Sequence, residues 1–532
     1  MRSGRALTSG HEREQPLPTG REHRRLRWLA AGPAWLVGIA GTLAAGWSAT
    51  LLIGRVNGLS APPYDLAFFQ QIIWNVGTSG LWISSFHEGS FLGLHFSPIL
   101  VIPAVVERLL GPDVRLLNVV HALAVGGLVV AGFLFLRAIL RPSRAAAMVA
   151  AGLAIGIPVW GTTQEIIRSD FHPEAVGVGL ALVAGWAGLT GRLRTMWLAA
   201  VLALLTREDV SYAVAVIGLV VAARGNHTLR RHGRTLAIVA TVWAIIVFGV
   251  LMPAIRAGSA TDTDSYYAWL GGGLSVLLAP VNQTAAVVAH IARPTGWLAG
   301  AGMIIALFGL PLLRPRWLVP VLPPFAAVLL SDNFFQANLR LQYGLILVVP
   351  LIVAAGFGAR RALALIAPRW RRSISRRGTL HRIVGRRVPP LTSAFAGLAL
   401  TLALAAPAAL GAFIQGSLPP FDHGDPAFAS RPDGFDRLAR TTAVIPARGV
   451  IAADEGLVVT LAARPEIRRL LVRPVAPVDA YVVMDRLAWF PMQQLAGNHH
   501  AILAGLRAGT RPVLADDGRF IVWGPEPGGL TP

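Results

Sequence analysis

Asp65 stands in the stretch APPYDLAFFQQIIWN, behind two prolines and ahead of a run of aromatic and aliphatic residues that includes Gln70. Three further stretches carry side chains fit for chemistry. LHFSPIL brings His95 and Ser97, IIRSDFHPEA brings Arg168, Asp170 and His172, and LLTREDVSY brings Arg207, Glu208 and Asp209. A lone carboxylate is a candidate proton acceptor. In HFSP and DFHP a histidine lies at or just before a predicted helix start, with proline in the first helical position, where its missing N–H costs nothing. A helix start presents unpaired N–H groups and the positive end of the dipole, so it attracts anions. Asp209 is a plausible cap for a third helix, with Arg207 just above it. Three such starts, two imidazoles and a guanidinium make a receptacle for a phosphate or pyrophosphate. Asp170, Glu208 and Asp209 are suited to orienting the basic groups or to holding a divalent cation, Mg or Mn, through oxygen ligands. Nothing in the sequence requires a cofactor.

Each residue has a plainer reading. Asp65 alone would cap an interfacial helix whose Leu66, Phe69, Ile73 and Val76 face lipid. His95 and His172 taken singly are structural histidines, and Arg207, Glu208 and Asp209 an internal ion pair. Trp74 and Trp82 read as interface anchors, and His499 and His500 as an exposed pair. The chemical reading rests on all the charged groups falling on one side of the membrane, where such groups are costly.

The elements that must position them are membrane spans. The chain is 54% hydrophobic and 14% charged, and apolar stretches near the ~20-residue spanning length recur along it. Spans are predicted at about 34–54, 115–136, 144–166, 173–190, 195–206, 209–223, 235–255, 297–313, 317–330, 341–358 and 391–414. All 48 basic residues are arginine and the net charge is +21. Those arginines concentrate in alternate connections, the mark of the positive-inside rule rather than of nucleic-acid binding. The N-terminus is then cytoplasmic, residues 1–27 a disordered Arg-rich tail, and the four chemical stretches external. The first span reads as a retained anchor. With no cysteine, disulfides, thiolate metal sites and a cysteine nucleophile are excluded.

The predicted fold is therefore an all-α polytopic membrane protein of about eleven spans over residues 28–414, in the bacterial plasma membrane. A linker rich in Pro, Gly and Asp follows at 415–445. A small extracytoplasmic α/β domain closes the chain at 446–532, with strands at GVIAA and AYVVMD, two helices, and a hairpin at RPVLADDGRFIVWG. It shows no phosphate loop, no paired carboxylates at a strand end and no metal spacing, and reads as a rigid lid or acceptor platform.

YDLAFFQQIIWN, LHFSPIL, DFHPEA and REDVSY, in that order and spacing, resemble a family of predicted bacterial polytopic membrane proteins of unknown function with the pattern F-D-x-x-x-F-x-Q, H-F-S-P, D-F-H-P and R-E-D. The resemblance covers about residues 50–360. That family is similar in layout to the GT-C superfamily of membrane glycosyltransferases, which carry an acidic residue just after the first span and use sugars on a polyprenyl phosphate. The resemblance implies that Asp65 stands at the catalytic position, as a single Asp where those enzymes commonly have an acidic pair. It places Gln342 where some relatives have a histidine before the tyrosine of the tenth span. The expected partners are membrane lipids and a polyprenyl-phosphate sugar, with His95, Ser97, Arg168, His172, Arg207 and Gln70 meeting the phosphate. Two rival readings are a transporter or flippase of an anionic or lipid-linked substrate, and a non-catalytic envelope assembly or sensor protein.

Overall fold

The computed structural model describes residues 33–527, apart from 141–142, 257–264, 272–274, 385–400, 402–404, 411–415, 421, 423–427, 430, 473–476 and 489–492. The tail at 1–27 and most of the eleventh predicted span lie outside the described residues.

The chain opens with α1 (Ala34–Asn57), followed by α2 (Asp65–Ser79) and a hairpin of β1 (Ile83–Ser84) and β2 (His87–Ser90). Next come α3 (Val101–Leu110), α4 (Arg115–Ile139), α5 (Arg144–Ile155), α6 (Gly161–Arg168) and α7 (Pro173–Leu189). The series continues with α8 (Leu193–Leu204), α9 (Val210–Arg224), α10 (His227–Ile246), α11 (Pro294–Ala306), α12 (Leu322–Leu330) and α13 (Leu345–Val384).

Among the described residues, four helical stretches are long and apolar enough to cross a bilayer: Ala34–Asn57, Arg115–Ile139, His227–Arg256 and Phe334–Ile366. A fifth arises if Arg144–Val159 and α6, bent by 41° at their junction, form one broken span. The other predicted spans that fall within the described residues are helical but shorter, so the count of eleven does not follow from helix length and composition. Proline is the physical reason in two regions. Pro158, Pro311 and Pro320 each sit in a 3-10 turn where a continuous span was expected, because proline removes the N–H that an α-helical ladder needs.

Small residues let the helices approach. A Cβ on Gly126 of α4 would stand 2.5 Å from the Gly41 carbonyl oxygen of α1, and one on Gly233 of α10 would stand 2.4 Å from the Ala222 nitrogen of α9. Without a hydrophobic driving force between helices in lipid, such close backbone packing carries the association. Trp35, Ile39 and Leu43 of α1 and Ile238 and Ile245 of α10 are exposed, as side chains that meet lipid tails should be.

The C-terminal region holds β3 (Ile451–Ala453), α14 (Glu455–Leu461), β4 (Ile467–Arg469), β5 (Tyr481–Asp485), α15 (Gln493–Ala508), β6 (Val513–Asp516) and β7 (Phe520–Trp523). The sheet order is β4-β3-β5-β7-β6. β3 runs parallel to both β4 and β5, while β7 lies antiparallel between β5 and β6. Two sequence readings need correction here. Asp454 directly follows β3 and Asp485 ends the adjacent β5, so paired carboxylates do stand at strand ends, and the Asp485 N–H donates to Asp454 Oδ2 at 2.7 Å. His499 is buried, with Nε2 3.3 Å from Asp454 Oδ2, because α15 turns this face onto the sheet.

The sheet does not stand apart from the membrane region. Leu457, Val458, Phe520 and Val522 share one apolar core with Leu59, Leu66, Phe69 and Phe91 of the first loop and α2. The approach is tightest at Gly456, where a Cβ would stand 2.4 Å from the Leu59 carbonyl oxygen.

Candidate functional site

Asp65 is the first residue of α2, where the dipole favours a carboxylate. Tyr64, in the capping position, makes no side-chain cap bond. The Asp65 side chain is about one-third exposed, and the His172 ring stands beside it, with Nε2 3.9 Å from Oδ2. His172 precedes α7 with Pro173 in the first turn, as the DFHP spacing predicts. Its backbone N–H donates to His121 Nδ1 at 3.3 Å, and its own Nδ1 lies 3.4 Å from the Asp170 carbonyl. Phe69 stands against the ring, with centroids 5.6 Å apart and planes at 75°. In this loop between α6 and α7, burial pushes the imidazole down to about 4, with Asp65 pulling the other way. His172 is therefore neutral near pH 7.

The second half of the site comes from the break between α8 and α9. Glu208 is buried and holds two partners: Oε1 lies 2.9 Å from His95 Nδ1, and Oε2 accepts the Phe96 N–H at 2.8 Å. Arg207 is ringed by carboxylates. Its Nη1 pairs with Glu174, Nη2 lies 3.1 Å from Asp209 Oδ2, and Nε lies 3.7 Å from Glu208 Oε1.

Asp65, His95, His172, Arg207, Glu208 and Asp209 line one cavity of about 430 Å³. Its far wall is Tyr266, Gln342 and Tyr343, with the two tyrosine hydroxyls 3.0 Å apart. Arg256 also lines it, as do Phe248 and Met252 at a π-helical turn that ends the α10 stretch. The pocket's charge is thus mixed rather than purely basic, because the acids that hold Arg207 come with it.

Four predicted residues do not line this cavity. Gln70 turns the other way and donates to Glu107 Oε2 of α3 at 2.9 Å. Ser97 is buried before a 3-10 turn at Pro98–Leu100, its hydroxyl without a partner. Arg168 offers its carbonyl to Arg55 at 3.2 Å. Asp170, at φ +63°, is buried with Arg55 Nη1 3.4 Å from Oδ1. Asp170 lies in the turn that carries His172, with its carbonyl against that ring. Among the described residues no group of three or more His, Asp or Glu side chains is placed to hold a metal ion.

Sequence reasoning missed Arg256 and Tyr266 in the cavity wall, and outside the cavity it missed Gln71. Its Nε2 donates to the Arg464 and Pro465 carbonyls at 3.0 and 3.1 Å. Its Oε1 accepts from the Ser84 hydroxyl at 2.6 Å and the Ser85 N–H at 2.9 Å. Ser85 in turn donates to the Ile467 carbonyl and accepts the Ile467 N–H, at 2.7 and 3.1 Å. Gln71 thereby ties the Asp65 helix to the hairpin and to the edge of the C-terminal sheet. Arg469 of β4, held by Glu455 at 2.7 Å, adds a cation 5.9 Å from the Tyr64 ring. The signal was present in the pattern quoted above, whose final Gln is Gln71 and not Gln70.

The family model described as "Predicted membrane protein (DUF2079)" matches residues 55–479. No curated protein matches the sequence. Among solved structures, ArnT from Cupriavidus metallidurans bound to undecaprenyl phosphate aligns with a TM-score of 0.50 at 16% identity, over 93% of this chain and 98% of that one. The apo state of ArnT aligns with a TM-score of 0.47 at 17% identity, over 92% and 97%. The first alignment runs through both the membrane helices and the C-terminal region, and it bears out the GT-C-like layout.

Proposed function

The chain belongs to the DUF2079 family of predicted membrane proteins, and we propose that it transfers a sugar from a polyprenyl-phosphate carrier to an acceptor hydroxyl at the outer face of the plasma membrane. The observation that carries this reading is the meeting of Asp65, His95, His172 and Arg207 around one cavity, although four separate segments supply them. The ArnT-like fold is consistent with it, as is the orientation that the arginine pattern favours, with the N-terminus inside.

The reaction is a displacement at the anomeric carbon. The acceptor oxygen bonds to that carbon as the bond to the phosphate oxygen breaks, and the electron pair leaves on the polyprenyl phosphate. Asp65 takes the acceptor proton as general base. His172, neutral and with Nδ1 toward the Asp170 carbonyl, presents an unprotonated Nε2 beside Asp65 and is placed to receive the proton in turn. Arg207 and Arg256 face the departing phosphate, where fixed cations stabilise developing charge. Glu174, Glu208 and Asp209 hold the Arg207 fork in place, and Glu208 does the same for His95. The Tyr266 and Tyr343 hydroxyls supply hydrogen bonds to sugar or phosphate oxygens. No step is routed through a metal.

The test incubates the purified protein with polyprenyl-phosphate-linked sugars and compares transfer by the wild type and Asp65→Asn. Loss of about 10²–10⁴-fold is expected for a missing general base. Equal transfer by both proteins discards the assignment.

A further inference from the structure

A second cavity, of about 560 Å³, lies at the other end of the same helices. α9 starts beside Asp209 in the first cavity, and its last residues, Ala223 and Arg224, line the second. α13 likewise runs from Ile346 in the first to Phe357 and Arg360 in the second. At 1.5 Å per residue, either helix puts the two cavities roughly 20 Å apart. That separation is of the order of a bilayer's hydrocarbon thickness.

The second cavity is lined by Arg224, Arg314, Arg316 and Arg360, drawn from three segments, and none of its described lining residues is acidic. This contrasts with the first cavity, where carboxylates surround Arg207. Trp317 lies in its wall, stacked on Phe357 with centroids 3.9 Å apart and planes at 2°. The Trp317 Nε1–H, a donor only, is buried without a hydrogen-bond partner. The guanidinium groups and an unused N–H call for an anion with several acceptor oxygens, and phosphate is one whose geometry arginine forks match. Leu219 and Val319 form the apolar part of the wall and are 51% and 58% exposed. The cavity thus joins basic heads to a lipid-facing apolar surface.

We propose that this cavity holds the phosphate of an anionic membrane phospholipid, with an acyl chain lying along Leu219 and Val319, on the membrane face opposite the reaction cavity. The site is independent of the proposed sugar transfer and stands or falls without it. Its role is to anchor the ends of α9 and α13, whose other ends carry the first cavity.

The experiment purifies the full chain in mild detergent and measures retained phosphatidylglycerol by native mass spectrometry. Arg314→Gln with Arg316→Gln is expected to lower retention about 30-fold, from the loss of two surface cations. Arg314→Lys with Arg316→Lys should keep most of it. Arg230→Gln with Arg231→Gln makes the same charge change at exposed positions of α10 and should leave retention unchanged. Equal loss in both Gln pairs, or loss in neither, overturns the proposal. Displacement of the lipid by millimolar inorganic phosphate alone would make this a free-anion site and also overturns it.

Discussion

His172 Nε2 stands 3.9 Å from the Asp65 carboxylate, held there from behind by the Asp170 carbonyl and by His121. The two groups belong to different helix starts, yet they act on one proton if the proposed transfer is right. His172→Gln should then lower kcat by about a hundredfold while leaving KM nearly unchanged, as expected when a general base loses the group that takes its proton on. The double variant Asp65→Asn with His172→Gln should be no worse than Asp65→Asn alone, because residues that work as a unit are not additive. Multiplying losses in a transfer assay would instead mean that the two act separately.

Arg207 is the cation paired with the buried Glu174 and lies against Glu208 and Asp209 as well. Removing it leaves several carboxylates facing one another. Arg207→Gln should destabilise the protein by about 3–5 kcal/mol, the usual cost of stripping one partner from a buried ion pair. Arg207→Lys should recover part of this loss, since it restores charge without the fork. Thermal unfolding in detergent measures both, and an unshifted midpoint for Arg207→Gln would show that the ring of acids is not held by this cation.

What the sequence revealed of the site follows from cost. Charged residues beside apolar runs are expensive, so Asp65, His95, His172 and the Arg207–Asp209 cluster stood out, and proline marked where their helices start. What it concealed is pairing. Gln70 and Gln71 are adjacent in sequence but about 100° apart around a helix, so one turns to Glu107 and the other to the C-terminal sheet. Nothing local separates them. Likewise Asp170 reads as a ligand until Arg55, from the end of the first span, is found against it. The strands at 449–453 and 480–485 were legible as apolar runs. β4 was not, because the Arg468 and Arg469 side chains bridge to acids rather than enter a core. Helix length does not confirm the span count where proline breaks apolar runs into 3-10 turns.

The docking of the sheet on the first loop gives a third test. Gly456 has no room for a side chain, with the Leu59 carbonyl oxygen 2.4 Å from the position of a Cβ. Gly456→Val should push α14 away from residues 59–66 at a cost of about 1–3 kcal/mol, as overpacking does. Gln71→Ala removes the hydrogen bonds that tie α2 to the sheet edge and should act in the same direction. Both should raise hydrogen exchange in α2 and in the β1–β2 hairpin while leaving α7 and α9 protected. Uniform exchange throughout would mean that the sheet does not brace the Asp65 helix.

The buried pair of Asp454 and His499 makes the sheet's stability depend on pH. Burial raises the Asp454 carboxyl above its ordinary value, and the hydrogen bond from His499 only partly offsets this. For His499 burial works against the imidazolium, but Asp454 outweighs it and the value is raised. Both groups therefore hold protons more tightly in the folded state than in the unfolded one, so stability falls with rising pH across their titrations. The histidine's contribution is fully present below about pH 6.5, its ordinary value, and is lost as pH climbs through the raised one. Hydrogen exchange at β3 and α15 should accordingly speed up, relative to the intrinsic rate, between mildly acidic and mildly alkaline buffer. His499→Gln should remove the part of that dependence above about pH 6.5. A variant whose protection still falls with pH over the same interval would show that another group is titrating.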